Sequence, residues 1–223
     1  MKKAEENANV VILGIGGAGV QIAGRLLTDS TDKVRVFGLD SCKEEVCYYI
    51  GPDSENGIVI GWGINHGLGA GADVQKGRAA AEADKEKIET LLQDADAVVL
   101  VSGFGGGIGT GATLYAAEMC ARMHIPTAGV IIMPLSIEGP ARTARALKGL
   151  SELEEYTAEI ALIKLDELAM IYHESPSRIV KTADRIACEK IREYEAKIRS
   201  RWQRIRTEEK IRKMLAEFEE TDQ

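Results

Sequence analysis

Short apolar runs alternate with longer segments of helical periodicity along the first three-quarters of the chain. Continuous runs of aliphatic residues bounded by glycine or polar residues predict strands that are buried on both faces. Six apolar or β-rich runs that predict strands occur, at residues 10–13, 34–37, 58–60, 97–101, 127–132 and 160–163. Helices are predicted between them, after the glycine cluster at 14–19 to about residue 27, at about 75–93 and at about 139–156. This alternation predicts an α/β fold with a Rossmann-like parallel sheet and helices on both faces.

The pattern changes at Pro176, because proline suits the first turn of a helix and Ser175 is a candidate N-cap. Apolar residues then recur at helical spacing as far as Ile205. Thr207, followed by two glutamates, resembles a second N-cap. The sequence therefore predicts a long helix, a break near Thr207, and a short last helix with an apolar face of Ile211, Met214, Leu215 and Phe218.

Composition and charge exclude several classes of function. A net charge of −7 and an aromatic content of 5% argue against nucleic-acid binding. No apolar run is long enough to span a membrane. Residues 1–8 form a polar tail that we expect to be disordered. This tail lacks the apolar core of a signal peptide. The four cysteines and three histidines lack metal-ligand spacing, which predicts free thiols in the cytoplasm and no metal site.

Three glycine clusters are the candidate functional segments: residues 14–19 (the first loop), 67–73 (the second loop) and 103–111 (the third loop). The first and third loops each follow a buried strand and open a helix, where backbone N–H groups free of side chains bind anions such as phosphate. The second and third loops lack the lysine of a Walker loop, which leaves backbone amides, hydroxyls such as that of Thr110, and a metal ion as phosphate ligands. Taken alone, the first loop also fits a dinucleotide-binding fingerprint with Asp40 as its acidic partner.

Four segments carry a resemblance to a known family. Residues 105–111 resemble the tubulin signature G-G-G-T-G-[ST]-G, and residues 66–71 resemble the R-G-L-G-A-G loop of FtsZ. The first loop resembles the opening FtsZ loop, and residues 136–142 are similar to the F-x-x-E-G-x-x-R segment of FtsZ. In order and spacing, residues 9–190 resemble the FtsZ/tubulin superfamily. The resemblance implies a nucleotide-binding domain of the tubulin/FtsZ GTPase type at residues 9–175, then a central helix and helical C-terminal extension at 176–223.

The resemblance implies a phosphate site on the glycine loops. Ala70 and Gly71 would lie near the γ-phosphate, and Asp40 matches an aspartate in the family's loop after the second strand. The residues that would wrap the phosphates are Gly16, Gly17, Ala18, Gly105, Gly106, Gly107, Ile108, Gly109, Thr110 and Gly111. On this basis we expect Gly107→Val to block the phosphate path without unfolding the chain.

The resemblance also implies a ribose and base site. Glu138 would hold the ribose hydroxyls, and Arg142 would lie against the nucleotide. Asp184 would accept hydrogen bonds from guanine N1–H and the 2-amino group, which adenine lacks; the alternative for Asp184 is a solvated charge on a helix. The implied ligand is GTP or GDP, with Mg²⁺ as its companion.

The sequence departs from the family at four places. Ile108 replaces the signature threonine, Leu165 replaces an asparagine that contacts the nucleotide, and Val180 stands where an aromatic residue stacks on guanine. Each change is expected to weaken binding by about 1 kcal/mol. The loop N-x-D-x-x-D, through which FtsZ activates water on a neighbour's GTP, is not found in the residues after Asp184. We therefore expect weak or absent hydrolysis by the family's mechanism, and no catalytic residue is assigned.

Three functions stay open at this point: a GTP-dependent assembly or switch protein, a weak GTPase with another catalytic group, and an NAD(P)-linked oxidoreductase. The third loop argues against the last, because a Rossmann enzyme does not need it. The tail is basic at residues 190–213. It is expected to serve self-association or a protein partner, with an anionic membrane surface as the alternative.

Overall fold

The computed structural model describes residues 8–29 and 34–221, except for the side chains of residues 29, 210 and 213–221. The tail predicted at residues 1–8 therefore lies outside the described residues, apart from Ala8, which is buried.

A six-stranded parallel sheet forms the centre of the molecule, in the order β3-β2-β1-β4-β5-β6. Its strands are β1 (Val10–Ile15), β2 (Val34–Asp40), β3 (Gly57–Val59), β4 (Ala97–Gly103), β5 (Thr127–Met133) and β6 (Glu159–Lys164). The six predicted strands and the α/β class are confirmed. The strand order reverses between β1 and β4, which pair directly from Val10 opposite Ala97 to Ile15 opposite Ser102. Ligands of doubly wound sheets bind outside the carboxyl ends of the strands at such a reversal.

The helices and the strands alternate along the chain. The helices are α1 (Gly16–Asp29), α2 (Lys43–Tyr49), α3 (Trp62–Asn65), α4 (Val74–Ala83), α5 (Lys85–Leu92), α6 (Gly107–Arg122), α7 (Pro140–Leu153), α8 (Leu165–Tyr172) and α9 (Pro176–Thr221), with a 3-10 helix at Ser136–Glu138. The single helix predicted at 75–93 is instead the pair α4 and α5. Asp84, at their junction, accepts a hydrogen bond from Gly61 N at 2.6 Å, which ties the junction to the end of β3.

Apolar side chains on the two faces of the sheet form two cores. On one face, Leu13 and Leu100 pack with residues of α4 to α7 such as Leu114. On the other face, Ile12 and Val99 pack with residues of α1 and α9. Successive residues of β1 and β4 thus point to opposite cores, as the period-2 geometry of a strand requires.

Helix α9 runs without interruption for 46 residues, so the predicted break near Thr207 is wrong. Thr207 Oγ1 donates a hydrogen bond to Gln203 O at 2.8 Å, which is a bond back into the same helix and not an N-cap of a new one. The helix packs on the sheet as far as Trp202, which is partly buried. In the predicted apolar face near the end, Ile211 is exposed, while the side chains of Met214, Leu215 and Phe218 lie outside the described residues. Within residues 8–29 and 34–221, no helix combines the length and hydropathy needed to cross a bilayer.

Candidate functional site

The first and third loops meet at the carboxyl ends of β1 and β4. A Cβ at Gly16 would lie 2.7 Å from Gly109 Cα, and Gly16 has a φ of +75°, so the approach requires glycine. The hydroxyl of Ser102 lies 2.9 Å from Ile15 O and 2.7 Å from Gly109 O, which joins the two strand ends. The two loops therefore form one continuous surface of backbone.

The second loop is held against the third. Gly107 N donates a hydrogen bond to Gly71 O at 2.9 Å. A Cβ at Gly77 on α4 would collide with Gly107 O, so α4 and α6 are in backbone contact. Ala70 is buried in this junction and Gly71 is exposed. The structure thus brings together the three loops that the sequence predicted to cooperate.

Few residues of the first and third loops are accessible, whereas most of the second loop is exposed. Gly17 and Ala18 in the first loop, and Gly103 and Gly106 in the third, are partly exposed, while residues 107–111 are buried. The Thr110 hydroxyl oxygen accepts a hydrogen bond from Gly105 N at 2.9 Å in the protein interior. The hydroxyl of Thr110 thus shapes the third loop from inside, and Ile108 is buried beside it.

Gly106 and Gly107 differ in what lies beyond their Cα atoms. A Cβ at Gly107 would lie 2.7 Å from both Asp73 O and Gly71 O, whereas a Cβ at Gly106 would enter open space. The expectation that Gly107→Val would block only a phosphate path is therefore wrong, because the side chain would displace the second loop. Gly106 is the glycine at which a side chain would point outward.

Asp184 on α9 faces helix α1. It is 1% exposed, accepts a hydrogen bond from Gln21 Nε2 at 2.6 Å and forms an ion pair with Arg25 at 3.1 Å, both at Oδ2. Burial raises the pKa of Asp184, and Arg25 and Gln21 oppose this rise. The alternative of a solvated helix charge is thus wrong. Gln21 and Arg25 were not predicted as site residues, although their four-residue spacing places them on one face of the helix that the first loop opens.

Glu138 and Arg142 lie beside the third loop. Arg142 Nε is 3.1 Å from Glu138 Oε2, and Glu138 Oε1 accepts a hydrogen bond from Leu135 N at 2.9 Å. A Cβ at Gly105 would lie 2.7 Å from Arg142 Cγ. The structure adds Arg145, whose Nε donates to Gly105 O at 3.0 Å. Two cationic side chains therefore flank the start of the third loop.

The segment that carries Glu138 is anchored from α8. Asp166 Oδ1 lies 2.9 Å from Ser136 N and 3.1 Å from Ser136 Oγ and accepts hydrogen bonds from both. Leu165, at the position of the family's asparagine, is buried in the core. The first turn of α8 therefore positions the 3-10 helix through Asp166.

Asp40 lies at the carboxyl end of β2 and is buried. Its Oδ1 accepts a hydrogen bond from Cys42 N at 2.8 Å, and burial raises its pKa to about 6. Its side chain thus stabilises the turn that leads from β2 into α2.

A cavity of about 630 Å³ lies over the amino end of α1. It is lined by Gly17, Ala18, Gln21, Glu44, Glu45, Tyr48 and Tyr49. The Glu45 carboxylate lies so close to Gly17 that a Cβ there would collide with it. The glutamates and tyrosines of α2 that line this cavity were not predicted from the sequence, because helix α2 itself was not predicted.

Comparison with known proteins agrees with this geometry. A family model described as "Tubulin/FtsZ family, GTPase domain" matches residues 9–173. The cell division protein FtsZ of Buchnera aphidicola subsp. Baizongia pistaciae is 34% identical over 165 residues, which are 74% of this chain and 42% of that protein. The cell division protein FtsZ 1 of Methanocaldococcus jannaschii is 29% identical over 183 residues, which are 82% of this chain and 50% of that protein. The solved structure of an empty FtsZ dimer from M. jannaschii superposes with a TM-score of 0.80 at 27% identity, over 86% of this chain and 55% of that one.

The fold and the three loops define an α/β domain that presents backbone amides at the carboxyl edge of its sheet. The chain belongs to the Tubulin/FtsZ family and carries the family's GTPase domain, as the sequence predicted. It spans about half the length of the curated relatives that it matches.

Proposed function

We propose that this chain binds a guanine nucleotide, GTP or GDP, with the phosphates on the first and third loops. The observation that carries the proposal is the direct contact of Gly16 with Gly109, which leaves the accessible backbone of Gly17, Ala18 and Gly106 on one surface. The amino ends of α1 and α6 both begin at this surface, and their N–H groups and dipoles favour phosphate.

The carboxylate of Asp184, which is bonded to Gln21 and does not itself line the cavity, favours guanine over other bases. Gln21 lines the cavity and is bonded to Asp184, so a carboxylate and an amide lie one to two helical turns from the phosphate loop. A carboxylate accepts from the two adjacent N–H donors of guanine, which adenine does not have. Glu44 and Glu45 line the same cavity, and oxygen ligands of this kind, together with phosphate oxygens, suit Mg²⁺.

In the cell, we propose a cytoplasmic GTP-dependent assembly or switch protein that associates with copies of itself. The FtsZ relative from M. jannaschii was solved as a dimer, which supports self-association of a similar fold. The part of α9 after Trp202 supports it independently, since its described side chains are exposed and include Ile205, Arg204 and Arg206. A helix that extends beyond its own core offers a surface to a second chain.

We further propose that hydrolysis is slow. The motif N-x-D-x-x-D does not occur in residues 185–223, and the described backbone from 185 to 221 is helix where the family's catalytic loop would follow. The expected turnover of the purified chain is that of an unassisted GTP-binding fold, on the order of 10⁻⁴ per second. Single-turnover assays with radiolabelled GTP measure this rate. A GTP turnover of several per minute would contradict the proposal. Asp166 and Glu167 would then be the first candidate catalytic residues to test.

The nucleotide assignment is tested by calorimetric titration of the full chain with GTP, GDP, ATP and NAD. Saturable binding of GTP and GDP, with ATP and NAD at least about tenfold weaker, is the expected result, since one lost bidentate contact accounts for a difference of this size. Preference for NAD would instead support the oxidoreductase alternative. Mass spectrometry of any nucleotide that co-purifies with the protein identifies the base without the addition of a chosen ligand.

Deletion of residues 207–223 is expected to leave GTP affinity unchanged but to reduce self-association. Among the described side chains of α9, burial ends near Trp202, and residues 203–209, 211 and 212 are exposed. Multi-angle light scattering of the full and truncated chains, each with GDP and with GTP, measures the change. If truncation lowers nucleotide affinity and leaves the mass of the assembly unchanged, the tail belongs to the nucleotide domain. Loss of binding to phosphatidylserine vesicles without any change in assembly would support the membrane alternative.

A further inference from the structure

The cavity over α1 has an aromatic wall that comes from helix α2. Tyr48 and Tyr49 both line it, and their ring centroids lie 4.8 Å apart at an interplanar angle of 87°. Tyr48 is 81% exposed, which is unusual for a large ring whose neighbour is half-buried. An edge-to-face pair of this kind holds each ring in place and leaves a flat face open to a ligand.

Helix α2 is fixed firmly enough to serve as a wall. A Cβ at Gly24 on α1 would collide with Tyr49 O, so the end of α2 lies in backbone contact with α1. Val46, a residue of α2, is buried. The amide of Gly51 donates a hydrogen bond to Cys47 O at 3.1 Å, which closes the last turn of α2. The two tyrosines therefore have a defined position relative to Gly17 and Gln21.

The same wall lies beside the polar end of the cavity. Burial raises the pKa of Tyr49, and the carboxylates of Glu45 and Asp184 add to this rise while Arg25 opposes it. Tyr49 is thus within electrostatic range of the Asp184 pair as well as of the carboxylate next to the first loop. Val180, one turn before Asp184 on α9, is 37% exposed and offers only a small aliphatic surface.

We infer that the tyrosine pair of α2, Tyr48 and Tyr49, stacks on the purine base and takes the place of an aromatic residue on α9. The inference rests on the proposed nucleotide function. The cavity has the size of small-molecule sites, which run from about 300 to 1,000 Å³. Its lining combines an anion-binding backbone at Gly17, a hydrogen-bonding amide at Gln21 that is bonded to the buried Asp184, and an aromatic face. A purine nucleotide could thus place its phosphates on the backbone near Gly17, the edge of its base near Gln21 and the face of its base on the tyrosines.

The test compares two double variants that differ only in the aromatic ring. Tyr48→Leu/Tyr49→Leu keeps apolar bulk on α2 and removes the stacking surface, whereas Tyr48→Phe/Tyr49→Phe keeps both rings. The ligands are GTP and inorganic tripolyphosphate, which has the phosphates without the base. The leucine variant is expected to bind GTP about tenfold more weakly or worse, because base–aromatic stacking contributes on this scale. It should bind tripolyphosphate like the wild type, and the phenylalanine variant should bind both ligands like the wild type.

Wild-type GTP affinity in the leucine variant would overturn the inference and leave the proposed function intact. Equal weakening of GTP and tripolyphosphate would also overturn it, since the tyrosines would then act on the loops and not on the base. Unchanged tripolyphosphate binding shows at the same time that the variant is folded. If the wild-type chain binds tripolyphosphate but shows no preference for GTP over it, the proposed function fails as well.

Discussion

Gly106→Val is expected to abolish nucleotide binding while the chain stays folded. Gly106 is the N-cap of α6 with φ −87° and ψ 174°, an extended conformation that valine adopts without strain. Apart from its two chain neighbours, no atom of the described residues lies within 4 Å of the position of its Cβ, which would point from the third loop into open space. A branched side chain there would hold phosphates away from the backbone amides, and we expect a loss of at least about 100-fold in GTP affinity.

Two matched variants make this prediction specific. Gly63→Val places the same side chain at another open glycine outside the three loops and should leave GTP affinity unchanged. Gly107→Val should lower the midpoint of thermal unfolding, because its side chain would meet Asp73 O and Gly71 O. Calorimetric titration and circular dichroism melts separate the two effects. A folded Gly106→Val protein with wild-type affinity would place the phosphates elsewhere.

The sheet and its loops could be predicted because their signals are local. Strands β1 and β4 contain continuous apolar runs, and the first and third loops directly follow these two strands. Parallel strands place their carboxyl ends on one edge, so the meeting of these two loops follows from the order of the elements. What the pattern could not supply is the packing that determines which glycine faces outward, and this is where the expectation for Gly107 was wrong.

Helices α2, α3 and α8 were missed because they are short and their stability comes from tertiary contacts. Helix α2 has seven residues, of which Val46 alone is buried, so it has no apolar stripe to recognise. Because α2 was missed, so were the tyrosine wall and Glu45. Thr207 shows the opposite error, since a residue typical of N-caps also bonds within a continuous helix when the residues around it favour helix.

The polar contacts of Asp184 could not be predicted either, because its partners are distant in sequence: Gln21, for example, is 163 positions away. The resemblance to a family selected Asp184, but only the packing of α1 against α9 shows that its partners are Gln21 and Arg25. These partners oppose the rise in the pKa of Asp184 that burial causes. They also determine which substitution is informative, since Asp184→Ala would remove every acceptor for Gln21 and Arg25 and change stability together with binding, whereas an amide keeps one oxygen acceptor for them.

Asp184→Asn is therefore the more informative variant. It is expected to shift the base preference of the site from guanine towards xanthine. An amide of the same size can still accept from Gln21, but it presents one acceptor and one donor to the base where the carboxylate presents two acceptors. Loss of a hydrogen bond to a charged group lowers affinity by about 1.5–3 kcal/mol, so GTP should bind more weakly and ATP should be unaffected. Xanthosine triphosphate, whose C2 oxygen accepts a hydrogen bond from the amide, should bind the variant better than it binds the wild type.

The pH dependence gives a second test of the same carboxylate. Protonation turns one acceptor of Asp184 into a donor, so GTP affinity should fall as the pH decreases through its pKa. Because burial raises that pKa, the fall should begin at a higher pH than for an ordinary aspartate. Titrations from pH 8 downward with the wild type and Asp184→Asn separate this effect from protonation of Asp40, which the variant retains. If both proteins lose GTP affinity in parallel, or if Asp184→Asn weakens ATP as much as GTP, Asp184 serves the packing of α1 on α9 and does not contact the base.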